Sequence, residues 1–126
     1  MRTLFLRLLT LIAILTAFTV HGRNEPSRYQ KARVQIQIVA DSANSLQANV
    51  EVPVGTPARD LMERLFKMNY VDFTRKFVSG IAGFTASARE KKFWRLEIDG
   101  KDSAVGIADI KINKAMQIRW VIAEFK

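Results

Sequence analysis

Cysteine is absent from this 126-residue sequence, and histidine occurs once, at His21. Without cysteine the chain has no disulfide and no thiol chemistry, so packing must stabilise the fold. Because the one histidine falls in a segment predicted below to be removed, a Ser-His or Cys-His nucleophile cannot be assembled. The preferred ligands of zinc and copper are missing for the same reason. We therefore expect a non-enzymatic protein with no catalytic residues and no metal site.

The amino terminus also lacks an apolar run of membrane-spanning length. Leu8–Val20 gives thirteen residues without a charge, whereas a spanning helix needs about 20 apolar residues. Arg2 and Arg7 precede this run, and a basic start followed by a short apolar segment is typical of a cleavable signal peptide. We expect residues 1–22 to be that signal peptide and the product to be periplasmic or secreted. An uncleaved membrane anchor is the alternative, and contact with a membrane is expected only in that case.

Two positions fit the small residues that precede a signal-peptidase cut, one after Gly22 and the other after Ala17. Cleavage after Gly22 leaves about 104 residues, enough for one compact domain but not for two. The eighteen basic and twelve acidic residues that remain give a net charge of +6. No run reaches five or six like charges, so a solvated basic surface is favoured and no nucleic-acid partner is expected. Attraction to anionic lipids or glycans is the alternative.

The first half of the mature chain is predicted to contain a linker and a hairpin. Residues 23–33 are polar, carry Pro26 and lack apolar periodicity, which indicates a flexible linker before a domain over residues 34–126. Val34–Ile38 and Leu46–Val54 alternate apolar and polar residues, as two half-buried strands do. Pro53 cannot donate to a sheet ladder, which favours an edge position for the second strand.

A helix is predicted to follow the hairpin. Thr56 is a plausible N-cap, and Pro57 suits the first helical position, where a backbone donor is not needed. The helix is expected to end near Asn69, with one apolar stripe formed by Ala58, Leu61, Met62, Leu65 and Met68. At helical spacing this stripe is interpreted as core, although such side chains could also line a pocket.

The second half is predicted to be mainly strands. A short strand and bend are expected within Phe77–Ala86, and Phe93–Ile98 alternates as a strand that ends in an Asp99-Gly100 hairpin turn. A return strand is expected at Val105–Ile107 and a final strand at Gln117–Phe125. This order predicts an α+β fold, a β-grasp-like mixed sheet packed against one main helix.

Four short motifs in this half occur in an order that resembles the DUF4430 family of transcobalamin C-terminal-like domains. They are Gly80–Gly83, Phe93–Lys101, Val105–Ile107 and Gln117–Trp120. Asp99 stands where the family commonly has Asn, and both residues tolerate the left-handed conformation of the turn. Asn113–Met116 replaces a Gly-Asp pair that tends to precede the last strand in the family, so that turn is expected to differ in shape.

The resemblance implies an exported small-ligand binding module for cobalamin or a similar flat ligand, with no covalently bound cofactor. In transcobalamin-type proteins a helical barrel covers the other side of the ligand, and the barrel is missing here, so a partner is expected to complete the site. The ligand-binding residues implied are Trp94, Gly100, Lys101, Val105 and Gly106. As an alternative, Trp94 and Trp120 are core residues and the glycines serve turns and packing. The alternative function is a protein-interaction module of the cell envelope that presents an exposed sheet edge to a protein partner.

Overall fold

The computed structural model describes residues 30–126, so the predicted signal peptide and most of the predicted linker lie outside the described residues. In this part of the chain, no helix is both long and apolar enough to cross a membrane. Short 3₁₀ turns lie at Ala88–Glu90 and Ile107–Asp109. The other elements are β1 (Lys31–Val39), β2 (Ser45–Pro53), β3 (Thr56–Pro57), α1 (Ala58–Leu65), β4 (Met68–Tyr70), β5 (Val78–Ile81), β6 (Phe84–Thr85), β7 (Lys92–Ile98), β8 (Lys101–Asp102), β9 (Lys111–Ile112) and β10 (Met116–Glu124).

The main sheet has five strands in the order β2-β1-β10-β7-β8. β1 and β10 run parallel at its centre, and every other neighbouring pair in this sheet is antiparallel. A hairpin, then a helix, then a last strand that returns beside the first is the β-grasp arrangement, so the predicted α+β fold is confirmed. β3 pairs with β9, and β4, β5 and β6 form a small antiparallel sheet beside the main one.

Alternation along β1 divides the main sheet into two faces. Ala32, Val34, Ile36 and Ile38 are buried on what we call the inner face, while the residues between them lie on the open face. The other core residues include Ile118 and Trp120 of β10, Trp94 of β7, and Leu61 and Met62 of α1. The core thus lies between the inner face of the sheet and the segments that cross it, as expected for a two-layer domain.

The helix is shorter than the prediction. α1 ends at Leu65 because Phe66 is extended, with φ −135° and ψ 152°, and the chain then forms β4 against β5 instead of a further helical turn. Thr56 is not a side-chain cap, since its Oγ1 donates to the carbonyl oxygen of Pro53 over 2.6 Å and Pro57 occupies the N-cap position. Of the predicted stripe, Ala58, Leu61 and Met62 are buried, whereas Leu65 is exposed.

The start of β1 and the predicted return strand also differ from the sequence prediction, and the bounds of β2, β7 and β10 differ by one residue. β1 begins at Lys31, so the last three residues of the predicted linker belong to the sheet. Val105–Ile107 is not a strand: the return strand is Lys101–Asp102, and the chain then bends and enters the 3₁₀ turn that begins at Ile107. A hydroxyl fixes this bend, because Ser103 Oγ donates to the Val105 carbonyl oxygen over 2.6 Å.

The predicted Asp99-Gly100 hairpin turn is confirmed. Both residues have positive φ, 51° and 82°, which matches the two-residue turns that suit twisted antiparallel strands. Asp99 Oδ1 also accepts a hydrogen bond of 2.9 Å from the backbone N–H of Gln117. The turn is therefore bonded to the beginning of β10 as well as joining β7 to β8.

Candidate functional site

An apolar cavity of about 550 Å³ opens at the end of the sheet where β7 begins and β10 ends. β7 and β10 form one wall, and β5 with the loop that precedes it forms the other. The residues that line it are Val71, Lys76, Phe77, Val78, Ser79, Ala86, Ala88, Lys92, Phe93, Trp94, Leu96, Gly106, Ile107, Trp120 and Phe125. Its size and apolar lining are those of a small-molecule site.

The two tryptophans are brought together by the pairing of β7 with β10. Trp94 is opposite Ile122 and Trp120 is opposite Leu96, so both tryptophans project from the inner face on neighbouring strands. They are 6% and 3% exposed, and both line the cavity. Each indole is therefore part of the core and part of the cavity wall at once.

The indole Nε1 atoms of Trp94 and Trp120 are buried and make no hydrogen bond to any described residue. Unpaired buried donors are rare in folded domains because each one forgoes its bond to water. Since both nitrogens are buried, neither indole N–H is presented to a ligand at the cavity surface.

The rim of the cavity exposes large apolar side chains to solvent. Val71, Phe77 and Phe125 are 68%, 66% and 56% exposed, and Phe73, in the same loop as Val71, is 95% exposed. Phe93 stacks on Phe125, with ring centroids 4.7 Å apart. Exposed apolar groups gathered around a cavity are typical of a surface that binds a ligand or another protein.

A polar cluster attaches the rim loop, residues 71–77, to α1. Glu63 of α1 accepts hydrogen bonds from the Tyr70 hydroxyl over 2.7 Å and from Arg75 Nη1 over 2.9 Å. Arg59 Nη1 donates to the Arg75 carbonyl oxygen over 3.1 Å. Burial raises the pKa of Tyr70 above its ordinary value, and the hydrogen bond to Glu63 raises it further. The cluster thus fixes the base of the loop that carries the exposed rim.

The rim loop is also closed by its own hydrogen bonds. The Val71 amide donates to the Phe77 carbonyl oxygen over 2.9 Å. Asp72 accepts bonds from the hydroxyl and the backbone N–H of Thr74, and these bonds hold the pKa of Asp72 below its usual value. With Asp72 and Thr74 bonded to each other, Phe73 between them is left in solvent.

The structure brings only some of the predicted ligand-binding residues together. Trp94 and Gly106 both line the cavity, and a Cβ at Gly106 would lie 3.6 Å from the Lys76 carbonyl oxygen. Val105 is next to Gly106 but is exposed and does not line the cavity. Gly100 lies in the turn between β7 and β8 and Lys101 begins β8, and neither lines the cavity.

Sequence reasoning did not identify the rim. Phe77 directly precedes β5 and Phe125 directly follows β10, so each aromatic residue lies just beyond the end of a strand. An aromatic residue at a strand end is the only signal that the sequence offers for them. It cannot show that the two side chains meet at one cavity.

The open face of the sheet holds a second depression, of about 650 Å³, with a more polar lining that includes Arg33, Gln35, Asn49, Asp99 and Gln117. Ion pairs continue along this face, where Arg119 Nη1 lies 2.9 Å from Glu97 Oε2. Among residues 30–126, no three His, Cys, Asp or Glu side chains are grouped as metal ligands would be. The apolar cavity is therefore the stronger candidate site.

The fold and this cavity define a β-grasp domain with an open, aromatic-rimmed site. The chain belongs to the DUF4430 family, described as a domain of unknown function, whose model matches residues 55–123. That range covers α1, β7, all but the last residue of β10, and both tryptophans. No curated protein matches the sequence.

Several solved structures share the fold. Haptocorrin in complex with Cbi superposes with a TM-score of 0.62 at 15% identity, over 81% of this chain and 27% of the haptocorrin chain. A protein from Ruminococcus gnavus ATCC 29149, proposed to bind metal, superposes with a TM-score of 0.61 at 9% identity, over 75% of this chain and 99% of that one. At these identities the likeness concerns the fold, and this chain corresponds to about a quarter of haptocorrin.

Proposed function

We propose that this chain is an exported, non-enzymatic module that binds cobalamin or a similar flat ligand in the apolar cavity. The observation that carries the proposal is the cavity itself, about 550 Å³ with Trp94 and Trp120 in one wall and exposed aromatic residues at its rim. Support of a weaker kind comes from haptocorrin, which has the same fold and was solved in complex with Cbi. A flat apolar ligand would gain most from such a wall, because aromatic rings offer a large contact area.

The polar groups of the cavity suit binding better than catalysis. Its charged lining residues are Lys76 and Lys92, and the described lining contains no carboxylate. General acid-base chemistry needs a positioned pair of groups, which this lining does not provide. The two lysines would instead attract carboxylate or phosphate groups on the edge of a ligand.

A partner would complete the site. A ligand as large as cobalamin exceeds the volume of the cavity, so only part of it could enter. Val71, Phe73, Phe77 and Phe125 would remain exposed around the ligand unless a second surface covered them. Apolar side chains at this exposure are typical of protein interfaces.

The ligand-contact residues proposed from the sequence divide into two groups in this geometry. Trp94 and Gly106 would touch a ligand in the cavity directly. Val105 would join them from its exposed position beside Gly106. Gly100 and Lys101 would meet only a ligand or partner that extends to the turn between β7 and β8.

Titration of the purified protein with cobalamin, followed by ligand absorbance, tests this function. We expect a saturable change that Phe77→Ser weakens by about tenfold, because replacing an aromatic side chain at the rim removes about 1.4 kcal/mol or more of apolar contact. Val54→Ser is the matched control, since Val54 is an exposed apolar residue outside the cavity. No change up to high micromolar ligand, with cobalamin and with planar tetrapyrroles, would remove the proposal.

A second candidate is a protein-interaction module of the cell envelope that uses an exposed sheet edge. The observation that favours it is the position of β2, nine residues long, at the edge of the main sheet. Edge strands of this length are ready to pair with an added strand. A stoichiometric partner recovered from envelope fractions should be lost when Asn49→Pro removes a backbone donor from this edge, whereas reversing the charge of the distant Lys111 should leave it bound.

A further inference from the structure

Among residues 30–126, the outer edge of β2 presents a regular set of unpaired backbone groups. Val54 N donates to the Gln30 carbonyl oxygen over 2.8 Å, and Ala40 N donates to that of Asn44 over 2.9 Å. With the register of β1 and β2, these two bonds show that the even-numbered residues of β2 are bonded to β1. The odd-numbered residues therefore direct their N–H and C=O groups away from the sheet. They are Ser45, Gln47, Asn49 and Glu51, and Pro53 directs only its C=O outward.

This edge has few of the features that normally prevent pairing. Natural edge strands are kept apart by lysine, bulges or short length. β2 has no Lys or Arg in a chain whose net charge is +8, and its register with β1 runs from Pro53 to Ser45 without a bulge. Pro53 is the one interruption, and it lies at the end of the strand. By contrast β8, at the opposite edge of the sheet, has only two residues.

We propose that β2 pairs with β2 of a second copy of this chain, antiparallel about a twofold axis at Ala48. The two main sheets would then become one continuous ten-stranded sheet. This inference rests on the second candidate function and names its partner. It does not depend on the ligand cavity, which β2 does not line.

The position of Pro53 and the ends of the strand favour this register. With Ala48 opposite Ala48, Ser45 pairs with Glu51 and Gln47 pairs with Asn49, so all four outward N–H groups of each chain find a carbonyl oxygen. Shifting the strands by two residues in one direction keeps these donors paired but places Pro53 opposite Ser45, where the proline ring would lie against the partner strand in place of an N–H. Shifting them in the other direction places Glu51 opposite Ala43 of the second copy. Ala43 lies before the start of β2, where the chain turns. The register centred on Ala48 pairs all four outward N–H groups and keeps Pro53 outside the paired segment, which runs from Ser45 to Glu51.

The side-chain pairs that this register would form are also compatible with it. On the inner face, Leu46 would lie opposite Val50 and Ala48 opposite its copy, which extends the apolar surface of the core. Leu46 is 40% exposed without such a neighbour. On the open face, Glu51 would meet Ser45 and the two amides would meet each other, so no like charges are opposed.

The mass in solution tests the pairing. At concentrations on the order of 100 μM, the protein recovered from expressing cells should show twice the mass of one chain and dissociate on dilution. Asn49→Pro should yield the single-chain mass with the fold retained, because the donor that it removes is directed away from β1. Asn49→Thr keeps that donor and should still form the double mass. Phe73→Ser should also leave the mass unchanged, which distinguishes the edge from the cavity rim.

A single introduced cysteine gives a second readout. The chain has no other cysteine, and Ala48→Cys would face its own copy, so mild oxidation should give a covalent dimer. Ala104→Cys is the matched control on the exposed loop at the opposite edge, and it should remain single. A single-chain mass together with no crosslink at Ala48→Cys would overturn the proposal. If the wild type instead holds a different envelope protein that Asn49→Pro releases, the pairing with a second copy is wrong and the second candidate function stands.

Discussion

At the scale of single residues, Trp94 and Trp120 show why core and binding interpretations were hard to separate in the sequence. Their alternation on β7 and β10 predicts burial, and both are buried. Both also line a cavity, because the sheet ends beside them and the opposite wall comes from β5 and the rim loop. Periodicity reports which side of a strand a residue occupies. It does not report whether the layer above that side is complete.

Tyr70 gives a residue-scale prediction on pH. Its raised pKa means that folding favours the neutral phenol, so its contribution to stability is complete below pH 10, the ordinary tyrosine pKa. That contribution is lost as the pH rises above 10 toward the raised pKa, because the unfolded chain then ionises first. Tyr70→Phe has no such loss, although it gives up a hydrogen bond with a net worth of about 1 kcal/mol.

Urea unfolding of both proteins from pH 7 to pH 11.5 measures this. The wild type should be the more stable of the two up to about pH 10, and its advantage should shrink above that. Since other groups titrate equally in both chains, the difference between the two free energies of unfolding reports on Tyr70 alone. An advantage that stays constant through pH 11.5 would show that the environment of Tyr70 does not favour the neutral form.

At the scale of elements, strands with strict alternation could be predicted from the sequence. Val34–Ile38 and Phe93–Ile98 lie in β1 and β7 as expected, and the Asp99-Gly100 turn has the predicted type because only a few residues accept its positive φ. Pro53 indicated an edge strand, and β2 is one. Its missing N–H would be directed outward, so the sheet loses no bond there.

Elements that depend on distant partners could not be predicted. Met68 continues the helical stripe, yet it lies in β4 because β5 offers backbone partners to Met68–Tyr70. Val105–Ile107 has the composition of a strand, yet Ile107 begins a 3₁₀ turn and is buried in the core. The two-residue pairing of β3 with β9 joins segments more than fifty positions apart. Local preference is overridden in each case by tertiary contacts.

The attachment of the rim loop to α1 gives a prediction at this scale. Glu63→Ala removes the acceptor of both Tyr70 and Arg75, so residues 71–77 should open more often. We expect the amide of Val71, which is bonded to Phe77, to exchange with solvent about tenfold faster, because a population shift of that size needs only about 1.4 kcal/mol.

Native-state hydrogen exchange checks this, with Glu90→Ala as the matched control. Glu90 pairs with Lys92 at 3.6 Å on an exposed surface, and surface pairs of this kind contribute little. Its removal should leave Val71 protection unchanged. Equal protection of Val71 in the wild type and Glu63→Ala would mean that the cluster does not hold the loop.

At the scale of the whole molecule, both proposed functions assume that the chain is exported, as its sequence predicts. The apolar run Leu8–Val20 is long enough for signal-peptide recognition and short for a membrane span. We expect mass spectrometry of protein recovered from the envelope to show a new amino terminus between Phe18 and Arg23, with the product released in soluble form by osmotic shock. An intact Met1 in the membrane fraction would contradict cleavage and place the cavity at a membrane surface.

We propose that the ligand binds in the cavity beside Trp94 and Trp120. The indole N–H resonances of these two residues test this site most directly. The sequence has two tryptophans, so a ¹H–¹⁵N spectrum should show two indole cross-peaks. On titration with cobalamin, both should shift and saturate together, because both rings belong to the cavity wall. Phe77→Ser should need about tenfold more ligand for the same shift. If the ligand saturates while both indole signals stay unchanged, or if shifts appear only on the open face of the sheet, the proposed site is wrong.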